Sequence, residues 1–352
     1  MAAAVTIYDV ARQSGVSTAT VSRVLRGGPG FSEATRRRVL AVIDELGWIP
    51  SSSARRLASR RSGILGLLFP DLDPSDAAEE EAPLFVDHVI RGAERAATSA
   101  GDAILIAATR QASGRQLAFS VASKVDGLVV VGRSLTFADL ERIAQLVPIV
   151  VLAGHVGRRR FDLVAADNRG GARDLTAHLL QVHGYRDFAF IGGPTGMPDA
   201  AERFAGFQEA LALAGLAAPE RPDAKGDFTE SGGKRAMRLV LATRTSPPQA
   251  VVVANDQMAI GALAVLRDGK LRVPRDVALT GFDDITLARH IRPSLTTVRQ
   301  PMRDLGERSV RLLLERLANH EAARQFELLA TEVVIRRSCG CPHPPSRSGS
   351  LV

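Results

Sequence analysis

From Gly63 onward the chain carries seven short apolar runs: GILGLLF, AILIAA, DGLVVV, PIVVLA, FAFIGG, AVVVAN and VALTGF. Each is rich in Val, Ile, Leu or Phe, and helical stretches separate them. A strand that is apolar on both sides must be covered on both sides, which requires a parallel sheet between layers of helices. About 275 residues of this texture suit two such α/β lobes. No repeat of about 20–50 residues is evident, so a solenoid is not expected. Parallel sheets bind ligands beyond the carboxyl ends of their strands. Asn255 directly follows AVVVA, Asp283 directly follows VALTGF, and Arg203 opens the helical stretch RFAGFQEAL. A fork of donors, an amide and an acceptor together match the adjacent hydroxyls of a sugar. The alternatives are a helix cap for Asn255 and a structural Arg203–Asp283 ion pair. Phe85 and Phe282 are candidate apolar walls, whereas Phe207 is read as core.

The first 62 residues have a different character. They hold ten arginines, no lysine and four acids, so they carry +6 of the chain's formal +7. A compact basic module ahead of a nearly neutral body points to a polyanion, most simply nucleic acid. Three short helices are predicted here. Thr6 caps the first, whose apolar face is Ile7, Val10 and Ala11, and Gly15 breaks it. Ser17 caps the second, with Val16 and Val21 placed as a hydrophobic staple. The third runs from near Ser32 to Leu46 with a stripe of Val39, Leu40, Ile43 and Leu46, and Gly47 ends it. At about 100° per residue, Val21, Val24 and Leu25 share one face of the second helix. Thr18, Ala19, Ser22, Arg23 and Arg26 share the other. That small, polar, basic face suits entry into a major groove, where hydroxyls, a methyl and a guanidinium meet base edges and phosphates. An ordinary three-helix bundle with a solvated face is the alternative on spacing alone.

The residues themselves go further. TIYDVARQSGVSTATVSRVLRG, LGWIP and ARRLA closely resemble the DNA-binding end of the LacI/GalR family of transcriptional regulators. VVVANDQMAIGAL, VALTGFDDI and PSLTTVRQP resemble the body of the same family, so the likeness runs to about residue 338. It implies a helix-turn-helix domain over 1–49, a hinge helix over 50–62 and a two-lobed, periplasmic-binding-protein-like effector and dimerisation domain over 63–338. A disordered tail is expected over 339–352. By that resemblance Thr18, Ala19 and Arg23 read bases, Ser17, Thr20 and Ser22 contact phosphates or bases, and Tyr8 is a phosphate contact or a packing residue. In the hinge, Ala54, Arg55 and Leu57 contact DNA, Leu57 as a minor-groove wedge. The family usually has asparagine after the hinge proline, where this chain has Ser51. Arg203, Asn255 and Asp283 align with effector contacts. An acidic residue that the lactose repressor has after its fourth strand is replaced here by Ala153 or Gly154. The acidic loop 71–81 is read as solvated; overhanging the cleft, it would disfavour anionic ligands.

The implied partners are a pseudo-palindromic double-stranded operator, a carbohydrate-like effector and a second copy of the chain, with a tetramer as the alternative to a homodimer. Repression is the implied activity. A sugar-binding protein or an enzyme body with an accessory DNA-binding domain is the rival reading. No phosphate loop, nucleophile elbow or HExxH motif is present, so an enzyme is not expected. No cofactor is expected either. Cys339, Cys341 and His343 lack a second ligand pair in sequence, so no metal site is expected. The start lacks a basic segment followed by an apolar core, and no apolar run reaches bilayer length, so a cytoplasmic protein with no membrane partner is expected.

Overall fold

A computed structural model of the chain describes residues 5–25, 29–48, 61–70, 86–109, 114–132, 134–154 and 160–342. The chain divides into two compact units, Met1–Gly63 and Ile64–Val352.

The first unit holds helices α1 (Ile7–Ser14), α2 (Thr18–Leu25) and α3 (Glu33–Leu46). The Asp9 carboxylate accepts from the Thr6 backbone N–H and hydroxyl at 3.0 and 2.7 Å. Ser17 and Ser32 each accept from the backbone N–H three residues on, at 3.1 and 3.2 Å. These contacts supply partners for N–H groups that a helix start otherwise leaves without one. Val10, Ala11, Val21, Val24, Val39, Val42 and Trp48 form the core, with Val16 packed against it as a staple residue should. Two expectations need correcting. Leu40 is 43% exposed and Leu25 39% exposed. Val39, Val42, Ile43 and Leu46 already complete an i, i+3, i+4, i+7 stripe, and Leu40 lies about 100° off it.

The second unit contains two lobes. The first is a six-stranded parallel sheet in the order β11-β5-β4-β3-β1-β2. Its strands are β1 (Ile64–Pro70), β2 (Ala103–Thr109), β3 (Gly127–Val131), β4 (Ile149–Leu152), β5 (Asp162–Ala166) and β11 (Phe326–Leu329). Helices α4 (Val86–Ser99), α5 (Gly114–Ala122) and α6 (Phe137–Ile143) belong to it. Strand alternation divides its core in two. Leu65, Leu67, Val129 and Val150 fill one face, and Leu68, Leu128, Val130 and Val151 fill the other.

The second lobe is a parallel sheet in the order β7-β6-β8-β9. Its strands are β6 (Phe188–Gly192), β7 (Ala224–Lys225), β8 (Ala250–Val253) and β9 (Ala278–Thr280). Its helices are α7 (Asn168–Val182), α8 (Pro198–Leu213), α9 (Glu230–Thr243) and α10 (Asp256–Asp268). The chain passes between lobes three times. It leaves β5 for α7. It returns from β10 (Thr297–Arg299) to α11 (Met302–Ala318), whose Met302, Leu305, Val310 and Leu313 join the first-lobe core. It crosses again from β11 to β12 (Glu332–Val334), which pairs antiparallel with β10. All seven apolar runs of the sequence are strands. Strands β5, β7, β10, β11 and β12 were not anticipated: they are short or begin on a charged residue, and β11 is half exposed.

Candidate functional site

The α2 face is small and accessible. Val21 and Val24 are buried beneath it, Ala19 and Arg23 are exposed, and Thr18, Thr20 and Ser22 are half-buried. The hydroxyls of Ser17 and Thr20 lie 3.0 Å apart. Tyr8 on α1 is 73% exposed, which fits an outward contact better than packing. Ala54, Arg55, Leu57, Arg26 and the Ser51 departure lie outside the described residues, as do Phe85 and the acidic loop 71–81.

The second unit has a cleft between its lobes, where the carboxyl ends of both sheets face one another. The first-lobe side is apolar: Pro70, Val89, Val131, Leu152, Ala153, Met302 and Leu305. The second-lobe side carries Asp199, Arg203, Asp227, Phe228, Asn255 and Asp283, with Gln300 from the crossover.

Arg203, in the second turn of α8, is buried and organises that side. Its Nε donates to Asn168 Oδ1 at 2.8 Å and its Nη1 to the Ala254 carbonyl at 2.6 Å. Its Nη2 lies 3.2 Å from Asp283 Oδ1, which also accepts from Gln300 at 2.6 Å. The guanidinium stacks 3.9 Å above the Phe282 ring. Burial pushes the Asp283 carboxyl up in pKa, and Arg203 and Gln300 pull it back. Asp256, fully buried behind it, is pushed up further by burial and by Asp283. It accepts from Thr297 Oγ1 at 2.6 Å and the Ile285 N–H at 2.9 Å.

Asp283 and Asp284 both have positive φ, 114° and 55°. Two consecutive non-glycine residues there store strain. The result is that the adjacent carboxylates engage different partners: Asp283 holds Arg203, while Asp284 binds Arg299 and Arg336. They do not form a catalytic pair.

Sequence reasoning therefore brought Arg203, Asn255 and Asp283 to one place. Asn255 also caps α10, accepting from the Met258 N–H at 3.0 Å, and donates to the Phe228 carbonyl at 3.0 Å. Phe282 is a correction. It is 2% exposed, packs with Ala172, Leu175 and Val298, and is absent from the cleft lining. It supports Arg203 from behind, whereas among the described residues the aromatic residue on the wall is Phe228. Asn168, Phe228 and Gln300 were missed. Asn168 follows β5 as Asn255 follows β8, a signal available once FDLVAADN is read as a strand; Phe228 and Gln300 lie in irregular segments with no periodic signal.

The chain end is a second correction. Cys339 is not in a loose tail but fully buried, within the short 3-10 turn Arg337–Cys339 of the second-lobe core. Cys341 follows half-buried. Both thiols adjoin His178 and His183, at the carboxyl end of α7. His343 lies outside the described residues.

Among the described residues no helix is long and apolar enough to cross a membrane. Residues 6–51 match the model of bacterial regulatory proteins of the lacI family, and residues 176–339 match the periplasmic binding protein-like domain. The chain is 33% identical over 343 residues to the transcriptional regulator GalR of Escherichia coli (strain K12), covering 96% of each. A solved complex of the transcriptional regulator CelR with cellobiose is similar at 33% identity and a TM-score of 0.71, covering 95% of this chain and 99% of that one. A Lac repressor dimer bound to operator and an anti-inducer is similar at 28% identity and a TM-score of 0.81, covering 96% and 99%. With likeness that spans both units, and with relatives that are regulators of transcription rather than enzymes, the chain belongs to the LacI family of DNA-binding transcriptional regulators.

Proposed function

We propose that this regulator is a cytoplasmic repressor. It binds a pseudo-palindromic operator as a homodimer, and a neutral carbohydrate in the cleft sets its affinity for DNA. The observation that carries the effector reading is the Arg203 clamp on one cleft wall facing an apolar wall on the other. A sugar presents both surfaces: a ring of hydroxyls for Arg203, Asn255 and Asp283, and a C–H face for Leu152 and Val131. Arg203 and Gln300 both use Oδ1 of Asp283, so Oδ2 is the acceptor assigned to a ligand hydroxyl. Among the charged lining residues three are aspartates and one is arginine, a balance that disfavours phosphorylated sugars. The cellobiose complex of CelR supports a carbohydrate, and the operator-bound Lac repressor dimer supports the dimer.

On DNA, Thr18, Ala19 and Arg23 read base edges, while Tyr8, Ser17, Thr20 and Ser22 set the register through phosphates. Ala54, Arg55 and Leu57 complete the contact in the minor groove. The effector shifts operator affinity only through its preference for one arrangement of the lobes. The test titrates the full chain with neutral mono- and disaccharides by calorimetry and repeats operator binding with each sugar. A saturable heat accompanied by a shift in operator affinity of about fivefold or more is expected; if no sugar changes operator affinity, the effector reading fails. For the DNA face, Arg23→Ala should lose about 1–3 kcal/mol of discrimination between operator and random sequence. Equal weakening on both would remove Arg23 from the base readers.

A further inference from the structure

Four potential metal ligands meet in the second lobe away from the cleft. His178 lies in the last turns of α7 and His183 caps that helix, whereas Cys339 and Cys341 come from the chain end about 160 residues later. Their ligand atoms all lie within 4.8 Å of one another. His178 Nε2 is 3.7 Å from Cys339 Sγ and 3.5 Å from Cys341 Sγ, and His183 Nε2 is 3.3 Å from Cys341 Sγ. In a tetrahedral zinc site with Zn–S about 2.3 Å and Zn–N about 2.0–2.1 Å, sulfur and nitrogen ligands lie about 3.6 Å apart. The three measured separations cluster on that value. Hydrogen bonds to sulfur span the same distances, so the metal reading rests on four such groups meeting at one point.

The surroundings fit a built site. Both cysteines are free thiols. Gly340 between them has φ 105°, and a Cβ there would lie 3.3 Å from the His183 ring and from the Tyr185 hydroxyl. Only glycine gives this turn, which brings both sulfurs to one side. The Tyr185 ring stacks on His183 at 5.3 Å, and its hydroxyl donates to the Cys339 carbonyl at 3.1 Å.

We propose that His178, His183, Cys339 and Cys341 form a tetrahedral site for a borderline-soft divalent cation, Zn2+ by ligand chemistry, that fastens the chain end to α7. Two thiolates and two imidazoles select zinc over the hard cations magnesium and calcium. Closed four-ligand sites are structural, with no position left for substrate. None of the four residues lines the cleft. His178 is ten residues along α7 from Asn168, about 15 Å of helix, so the site is separate from the effector pocket and does not depend on the carbohydrate reading.

The test uses the full chain, untagged and purified under reducing conditions. After exposure to Zn2+ and gel filtration it should retain about one zinc per chain. With Co2+ it should show thiolate-to-cobalt charge transfer and the intense visible bands of tetrahedral coordination. Cys341→Ser and His183→Ala should abolish the cobalt spectrum and lower zinc retention at least about tenfold, with far-ultraviolet circular dichroism unchanged. Wild-type protein that retains no zinc, or whose two thiols react freely with a thiol reagent while Zn2+ is present, overturns the proposal. So does a Cys339–Cys341 disulfide in the freshly purified chain. The wild-type measurements stand even where a variant fails to fold.

Discussion

The two lobes of the second unit share a parallel-sheet architecture but place their most deeply enclosed charge at opposite ends of the strands. In the first lobe the fully enclosed carboxylate is Asp162, at the amino end of β5, the end away from the cleft, whereas Asp139 in the first turn of α6 is 8% exposed and pairs with Arg115. Arg316 grips Asp162 through two hydrogen bonds of 2.8 and 2.9 Å, and the Gln325 N–H adds a third at 2.8 Å. Arg316 spends its remaining donors on the carbonyls of His320, Ala322 and Ala323. In the second lobe Arg203 and Asp256 are buried and the Asp283 side chain is 11% exposed, all at the carboxyl ends that form the cleft wall. Charge at the closed end of a sheet can only hold the fold together. Charge at the open end, held rigid by neighbours, is ready to meet a ligand without reorganising. On the proposed effector reading, the first lobe offers the ligand an apolar cover and the second sets its orientation.

The largest expected effect tests the structural half of that contrast. Asp162→Ala leaves Arg316 buried beside carbonyls with no counter-charge, and should destabilise the first lobe by about 3–5 kcal/mol. Denaturant unfolding measures it. The folded fraction should bind effector with unchanged affinity; a changed affinity would mean that Asp162 communicates with the cleft. Next in size is Arg203→Ala. Charged hydrogen bonds contribute about 1.5–3 kcal/mol each, so effector affinity should fall roughly ten- to hundredfold. Operator binding without effector should hold, as read by fluorescence anisotropy. If the mutant responds to effector as the native protein does, orientation does not reside in the second lobe.

How much of this contrast could be read from sequence depended on periodicity. The strands that are apolar on both faces, β3 with all five residues buried and β8 with all four, are unmistakable as runs. The residues that follow them, Asn255 and Asp283, could then be placed by the rule for carboxyl ends. Strand β5 begins with Asp162 because that residue is an ion-pair anchor, and the same anchor hid the strand and with it Asn168. Phe282 is placed differently by the structure because an aromatic residue next to an aspartate of the cleft wall reads alike whether it faces the cleft or lies beneath the arginine. The convergence of α7 with Cys339 and Cys341 joins segments about 160 residues apart, and no local pattern encodes it. The small face of α2 was legible because a three-helix core this compact needs both of its valines, Val21 and Val24, and so determines which residues are left to face outward.

The smallest effect probes the cover. Ala153, just past β4, stands at φ 54°, where an L-residue with a Cβ loses about 1–2 kcal/mol relative to the right-handed region. Its methyl contributes to the apolar cleft wall. Ala153→Gly removes that conformational penalty and, against it, adds about 0.4–1 kcal/mol of unfolded-chain entropy. Stability should therefore hold or rise by up to about 1.5 kcal/mol in denaturant titration. The ligand loses contact with one methyl, about 0.8 kcal/mol at most, so effector affinity should fall no more than about fourfold by calorimetry. A loss approaching that of Arg203→Ala would mean that the first-lobe wall fixes ligand orientation as the second does, and the division of labour between the lobes would fail.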